Sequence, residues 1–277
     1  MKLFVDDLTH VDFSYLDAER GLVGESWAVR LELDGTLNDE GMICDFGVVK
    51  KRVKHWFDAT LDHSLVIAHN TPNLSLDVNS SKTTVKWRYP SGEPFFCSGP
   101  HQAFEILPLT AIEPEQVARW CEGELAALFP DVSGIHLTLY PEVIEDAYYH
   151  YSHGLQKHDG NCQRIAHGHR SRIQILVDGQ RHKNLEAQWA TNFCDIYIGT
   201  QSHLVSEDEG ISHFAYTAPQ GDFELKLPTS KVYMIATDST VELITEHLVN
   251  QISTALQGQQ IEVRGFEGIG KGALVRS

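Results

Sequence analysis

Residues 167–179 read HGHRSRIQILVDG, and residues 23–35 read VGESWAVRLELDG. Each stretch carries a glycine, an alternating apolar run and a closing Asp-Gly, with Gly24 to Gly35 and Gly168 to Gly179 at the same separation. Alternation with a period of two is the signature of a strand with one buried face, and Asp-Gly after it signals a hairpin. In such a strand His167 and His169 project from one face. Just upstream, NCQRIA (161–166) places Cys162 close to that pair. Two imidazoles on one face with a thiol nearby point to a metal site with a base or nucleophile beside it.

The repetition extends outward. DATLDHSLV (58–66) matches IGTQSHLVS (198–206), and EPEQVARWCEGELAALF (113–129) matches DSTVELITEHLVNQIS (238–253), the last two with apolar residues at helical spacing. Each of these helices leads to a short strand, IHLTLY (135–140) or QIEVRGF (260–266). A further helix in the first half starts at FGVVKKRVKHWFDATL behind Asp45 as its cap; the corresponding KNLEAQWATNFCDIY is shorter and less regular. The pattern predicts an α+β protein of two tandem units with antiparallel sheets, 1–143 and 144–277, meeting near residues 142–147. No low-complexity linker separates them, so they are expected to pack together.

Composition sets bounds. At 277 residues, with 42% hydrophobic and 22% charged residues, the chain has the make-up of a water-soluble globular protein. Its start, MKLFVDDLTH, has no apolar signal core, and no run is long enough to span a bilayer, so a cytoplasmic protein without membrane contact is expected. Five cysteines without framework spacing read as reduced thiols. A net charge of −16 disfavours nucleic acid as a partner. Lys157, Arg164, Arg170 and Arg172 nevertheless cluster around the His-x-His stretch, either as an anion site or as a solvated basic edge.

A catalytic zinc typically takes three protein ligands and keeps one position open. His167 and His169 supply two, and YYHYSHGLQKH (148–158) offers His150, His153 and His158 for the third. Alternation puts Tyr149, Tyr151 and His153 on one face and His150 on the other. Cys162 is either a fourth ligand or a reactive thiol, because a thiol beside Zn²⁺ or a charged histidine favours its thiolate. GFEGIGKG (265–272) approaches a phosphate-binding loop, but Gly272 stands where Ser or Thr is needed and no helix follows.

Tyr149-x-x-x-His153, then Cys162, then His-Gly-His opening a strand, together with LDHSLV after a helix beginning CDFGVVK, resembles the 6-pyruvoyl-tetrahydropterin synthase / 6-carboxytetrahydropterin synthase family. The resemblance covers nearly the whole chain, once per half. It implies the tunnelling fold (T-fold): in each unit a four-stranded antiparallel sheet with two helices, assembled side by side into barrels, here as a homo-oligomer such as a trimer or hexamer. Carried over residue by residue, it implies Zn²⁺ on His153, His167 and His169, and Cys162 as the catalytic cysteine. Asp62 and His63 become the catalytic pair, Glu267 the pterin-holding glutamate, and Ser239 with Thr240 residues that seat the pterin. The implied reaction is that of a lyase on 7,8-dihydroneopterin triphosphate, forming 6-carboxytetrahydropterin as in queuosine biosynthesis. The 6-pyruvoyl product and a non-catalytic pterin or purine binder are the alternatives.

The halves depart from the family in complementary ways. Val23-Gly24-Glu25 replaces His-Gly-His in the first, Ser202-His203 stands for Asp-His in the second, and Pro141 falls where the first half's glutamate belongs. One complete site per pair of halves is therefore expected, with the metal in one and the Asp-His pair in the other.

Overall fold

A computed structural model describes residues 1–277. The first half runs β1 (Lys2–Asp17), β2 (Gly21–Asp34), α1 (Phe46–Ala59), β3 (Leu65–Ala68), β4 (Ser75–Val78), β5 (Thr83–Arg88), β6 (Pro94–Gly99), β7 (Phe104–Leu107), α2 (Pro114–Leu125) and β8 (Gly134–Pro141). The second runs β9 (Tyr148–His153), β10 (His167–Val177), β11 (Gln180–Arg181), α3 (Lys183–Asn192), β12 (Ile196–Thr200), β13 (Leu204–Asp208), β14 (Ile211–Ala218), β15 (Gly221–Pro228), β16 (Val232–Ile235), α4 (Val241–Ala255), β17 (Ile261–Phe266) and β18 (Gly272–Arg276). No helix is long and apolar enough to cross a membrane.

The two halves repeat one topology. The first sheet has the order β7-β3-β1-β2-β8 and the second β16-β12-β9-β10-β17-β18, with β11 pairing β10. Both are α+β units with two principal helices, as expected, but neither sheet is purely antiparallel or four-stranded. β3 joins β1 in parallel and β7 joins β3 in parallel, as β12 and β16 do beside β9. Parallel neighbours need long crossovers, which α1 and the β4–β6 excursion supply. These strands are four or five residues long, too short for their pairing to announce itself in the sequence.

The excursions make a third sheet that belongs to both halves. Its order is β13-β14-β15-β6-β5-β4, joined at its centre by Ser98 opposite Glu224 and Cys97 opposite Leu225. Beneath it lies a core drawn from both halves, including Leu65, Trp87 and Phe95 with Tyr197, Phe214 and Leu225. The other two cores belong to single halves. In the first, α1 buries Val49, Val53 and Phe57, one residue per helical turn, behind an Asp45 side chain that accepts from the Val48 amide.

β2 and β10 cross face to face at two glycines. A Cβ on Gly24 would lie 1.9 Å from the Tyr151 carbonyl oxygen, and one on Gly168 would lie 2.7 Å from Gly24 Cα. The neighbouring Ser14 and Ser152 hydroxyls hydrogen-bond at 2.7 Å. Ser14 pairs with Gly24 and Ser152 with Gly168, so equivalent residues meet and the halves are related by a local twofold. This contact buries the start of each strand on both faces. Beyond Arg170 the expected alternation resumes, with Ile173, Ile175 and Val177 inward.

The two Asp-Gly signals have different outcomes. Asp178 and Gly179 both take positive φ (50° and 80°) and form the two-residue turn from β10 into β11. Asp34 ends β2 without a hairpin; the Gly35 amide donates to the Met1 carbonyl, and the chain goes on to α1.

Candidate active site

The β9–β10 register assembles three histidines. His153 lies opposite His167 and Tyr151 opposite His169, so the three imidazoles share one face, and all are buried. Their ring nitrogens that face one another lie within 4.8 Å, with His153 Nε2 and His169 Nε2 3.2 Å apart. Two imidazoles on a tetrahedral zinc at about 2.0–2.1 Å would place their nitrogens roughly 3.3 Å apart. The opposite ring nitrogens are held from behind: His153 Nδ1 donates to the Ser239 carbonyl at 2.8 Å and His167 Nδ1 to the Arg164 carbonyl at 2.8 Å. His169 Nδ1 faces Asp12 Oδ1 at 3.3 Å. These contacts leave each Nε2 free to ligate, and the buried His167 Nε2 has no hydrogen-bond partner. Burial, reinforced by the neighbouring histidines, pushes His153 and His167 well below the ordinary histidine range, so both are neutral. Three buried imidazoles, two of them neutral with their outer nitrogens bonded to carbonyls and the third facing a carboxylate, are a donor set that fits Zn²⁺.

Cys162 sits on a short turn (Asn161–Gln163) between β9 and β10. That turn is docked onto the other half, where Asn161 Nδ2 donates to the Asp58 carbonyl and Arg164 Nη1 to the Asp62 carbonyl. Asp62 and His63 follow α1, and His63 takes a positive φ of 55° that swings its ring toward the histidines. His63 Nδ1 lies 2.6 Å from Asp62 Oδ2, and Cys162 is the neighbour of that imidazole on the other side. The donor atoms of His63, Cys162 and His167 all lie within 4.8 Å of one another. Burial opposes charge on His63, but its hydrogen bond to Asp62 and the adjacent Cys162 prevail and raise it to about 10. It is therefore cationic at neutral pH. The first half's Asp-His pair and the second half's cysteine thus meet beside the three histidines within one chain.

Glu267 Oε1 lies 3.8 Å from His169 Nε2, so its carboxylate borders the histidine cluster. Ser239 is fully buried behind His153, and Thr240 caps α4, its hydroxyl accepting from the Leu243 amide. Those two side chains are committed to the site's framework. His150 faces the other way and donates to the Gly24 carbonyl at 2.7 Å, whereas His158 accepts from the Gly160 amide outside the cluster. The basic residues are each engaged. Lys157 pairs with Asp238, Arg170 lies over Tyr148, and Arg172 contacts Glu142 and the Phe266 ring. Arg164, beyond its contact with Asp62, donates to Gln220.

Three residues here have no counterpart among the expected ones. The Asp12 carboxylate, 3% exposed, accepts from Ser26 Oγ at 2.5 Å and pairs with Lys271 Nζ at 3.0 Å. Burial opposes its charge, but His169 and Lys271 outweigh that and hold it below the ordinary carboxylate range. In the sequence Asp12 alternates with Val11 and Phe13 and so belongs to a face that reads as solvent-exposed. The second half covers that face.

The equivalent place in the first half cannot hold the metal. Tyr15, Val23 and Glu25 occupy the positions of His153, His167 and His169. The pairing of Asp62-His63 with Ser202-His203 needs correction. Leu65 aligns beside Ser14 as Tyr197 does beside Ser152, which makes Cys194-Asp195 the counterparts. Asp195 shares the positive φ of His63, at 54°. It accepts from Arg20 at 2.6 and 3.0 Å, an ion pair between the halves, whereas His203 packs on Tyr216.

The family of proteins described as 6-pyruvoyl tetrahydropterin synthase matches twice in tandem, over residues 7–140 and 142–275. No curated protein sequence matches. Among solved structures, the 6-pyruvoyl tetrahydropterin synthase of Plasmodium vivax is similar at 18% identity and a TM-score of 0.42, over 53% of this chain and 93% of that one. The Plasmodium falciparum enzyme is similar at 18% identity and a TM-score of 0.41, over 50% and 90%. With nearly its whole length matched by two successive copies of one family pattern, the chain belongs to the 6-pyruvoyl tetrahydropterin synthase family.

Proposed function

We propose that the chain is a zinc-dependent lyase acting on 7,8-dihydroneopterin triphosphate, of the kind that forms 6-carboxytetrahydropterin. The observation that carries this reading is the meeting of Cys162 with Asp62 and His63, drawn from opposite halves, beside His153, His167 and His169. A protein that only bound a pterin would need the histidines and Glu267 but no thiol beside a carboxylate-held imidazole.

Zn²⁺ on His153, His167 and His169 would supply Lewis-acid stabilisation of negative charge developing on the substrate side chain. Cys162 is then the base that takes the side-chain proton, and His63 is the group that holds its charge and relays the proton onward. Asp62 fixes the imidazole's orientation through the 2.6 Å contact at Nδ1. Glu267 binds the pterin by accepting two N–H bonds from its amino-pyrimidine edge, while Ser239 and Thr240 shape the wall behind it. The short link from Cys162 to His-Gly-His favours the carboxy-forming branch, in which the side chain is cleaved after triphosphate leaves. The catalytic unit requires both 1–143 and 144–277, and assembly of the sheets into barrels would make it a homo-oligomer.

The test is to incubate zinc-loaded protein with dihydroneopterin triphosphate and follow triphosphate and acetaldehyde together. Release of both is expected. Triphosphate with accumulation of the 6-pyruvoyl compound and no acetaldehyde would move the protein to the other branch. No turnover with zinc bound would make it a binding protein.

A further inference from the structure

The three histidines are held from behind by unlike partners. His153 and His167 donate to neutral main-chain carbonyls of their own half. His169 instead faces a carboxylate from the other half, with Asp12 Oδ1 3.3 Å from its Nδ1 but not in hydrogen-bond geometry, so that this buried Nδ1 has Asp12 as its neighbour and no hydrogen bond. That carboxylate is built in: besides Ser26 Oγ and Lys271 Nζ, it has Gly268 closing over it, where a Cβ would lie 2.3 Å from Asp12 Oδ1. The main chain of Asp12 carries a second set of contacts. Its amide donates to Asp62 Oδ1 at 2.9 Å, and its carbonyl accepts from the His63 amide at 2.6 Å.

We propose that Asp12 is the positioning residue of this site: its side chain orients His169 for metal binding, while its main chain fixes Asp62 and His63 opposite Cys162. The half that lacks every metal ligand thereby sets the metal affinity of the half that has them. A carboxylate accepting from Nδ1–H fixes the ring with Nε2 toward the metal and makes that nitrogen a stronger donor. The Lys271 ammonium offsets the cost of burying the charge. Asp12 touches neither metal nor substrate and acts through His169 and the Asp-His pair.

The inference rests on the metal reading of the site, and the experiment separates the two. Zinc affinity is measured on the full chain by competition with a chromophoric chelator. Asp12→Asn is expected to weaken binding by about ten- to a hundredfold, the range for loss of such a partner, with Asp12→Glu recovering part of it. If the wild-type chain binds no zinc, the metal reading itself fails. If wild type and Asp12→Asn bind equally tightly, only the role of Asp12 falls. Should Asp12→Asn not fold, ¹⁵N NMR of zinc-loaded wild type decides: a protonated His169 Nδ1 supports the proposal, and metal on Nδ1 overturns it.

Discussion

At the scale of single residues, period-two alternation was a sufficient guide wherever a face was simple. It put His167 with His169 and set His153 apart from His150, the family resemblance chose His153 as the third of the set, and the register agrees. It failed for Asp12 because a strand's sequence shows which residues share a face but not what covers that face. Two predictions belong here. His150→Ala should leave zinc content unchanged, since His150 donates to the Gly24 carbonyl rather than toward the cluster. It should still lower stability by about 1–3 kcal/mol, the cost of a buried acceptor left unpaired, readable as a shift in urea midpoint. Cys162→Ala should lower turnover by ~10²-fold or more, the scale for a lost general base, while metal analysis still finds zinc. Zinc lost along with the thiol would instead make Cys162 a fourth ligand.

At the scale of elements, the long pieces were legible and the short ones were not. α1 shows in the sequence through its cap at Asp45, and α1 and α4 both show through their apolar spacing. The parallel strands β3, β7, β12 and β16 stayed hidden because their pairing depends on crossovers distant in sequence. The match of Asp62-His63 with Ser202-His203 failed for a related reason: a His followed closely by Leu-Val in both (His63-Ser64-Leu65-Val66, His203-Leu204-Val205) outweighed position relative to the preceding helix. β2 carries its own prediction. Burial, the largest cause, raises Glu25 from 4.5 to about 7 despite its hydrogen bond from the Ser26 amide. The folded state thus keeps a proton that the unfolded chain gives up near 4.5. Stability from this group is present at low pH and is lost as pH rises from about 4.5 to 7, by about 3 kcal/mol in all. Glu25→Gln should remove that slope, so the variant should gain on wild type in urea melts at pH 8 and lose the gain at pH 4. Parallel curves at both values would show that Glu25 ionises freely in the fold.

At the scale of the whole molecule, the twofold between the halves explains why one site is complete and its mirror is not. The same crossing at Gly24 and Gly168 brings Asp12 to His169 on one side and His150 to Glu25 on the other. On the second side Arg20 and Asp195 fill with an ion pair the space that Cys162 and His63 use on the first. One Zn²⁺ per chain is therefore expected by metal analysis, and a ratio near two would contradict the loss of ligands in the first half. Isolated halves are poor reagents for dissecting the site. Separation would expose the shared core of Leu65 and Trp87 against Phe214 and Leu225 and split the joint sheet between β6 and β15. Full-length chains with single defects are the sounder probe. The donor atoms of Cys162 and His63 of one chain already lie within 4.8 Å of one another, so a site can draw both groups from the same polypeptide. In a mixture of Cys162→Ala and His63→Ala chains, unfolded together and refolded so that assemblies are mixed, every site still lacks one of the two groups. Its activity should equal the average of the two variants. Recovery toward a quarter or half of the wild-type rate would mean that the halves trade partners between chains and that the working site forms across a chain boundary.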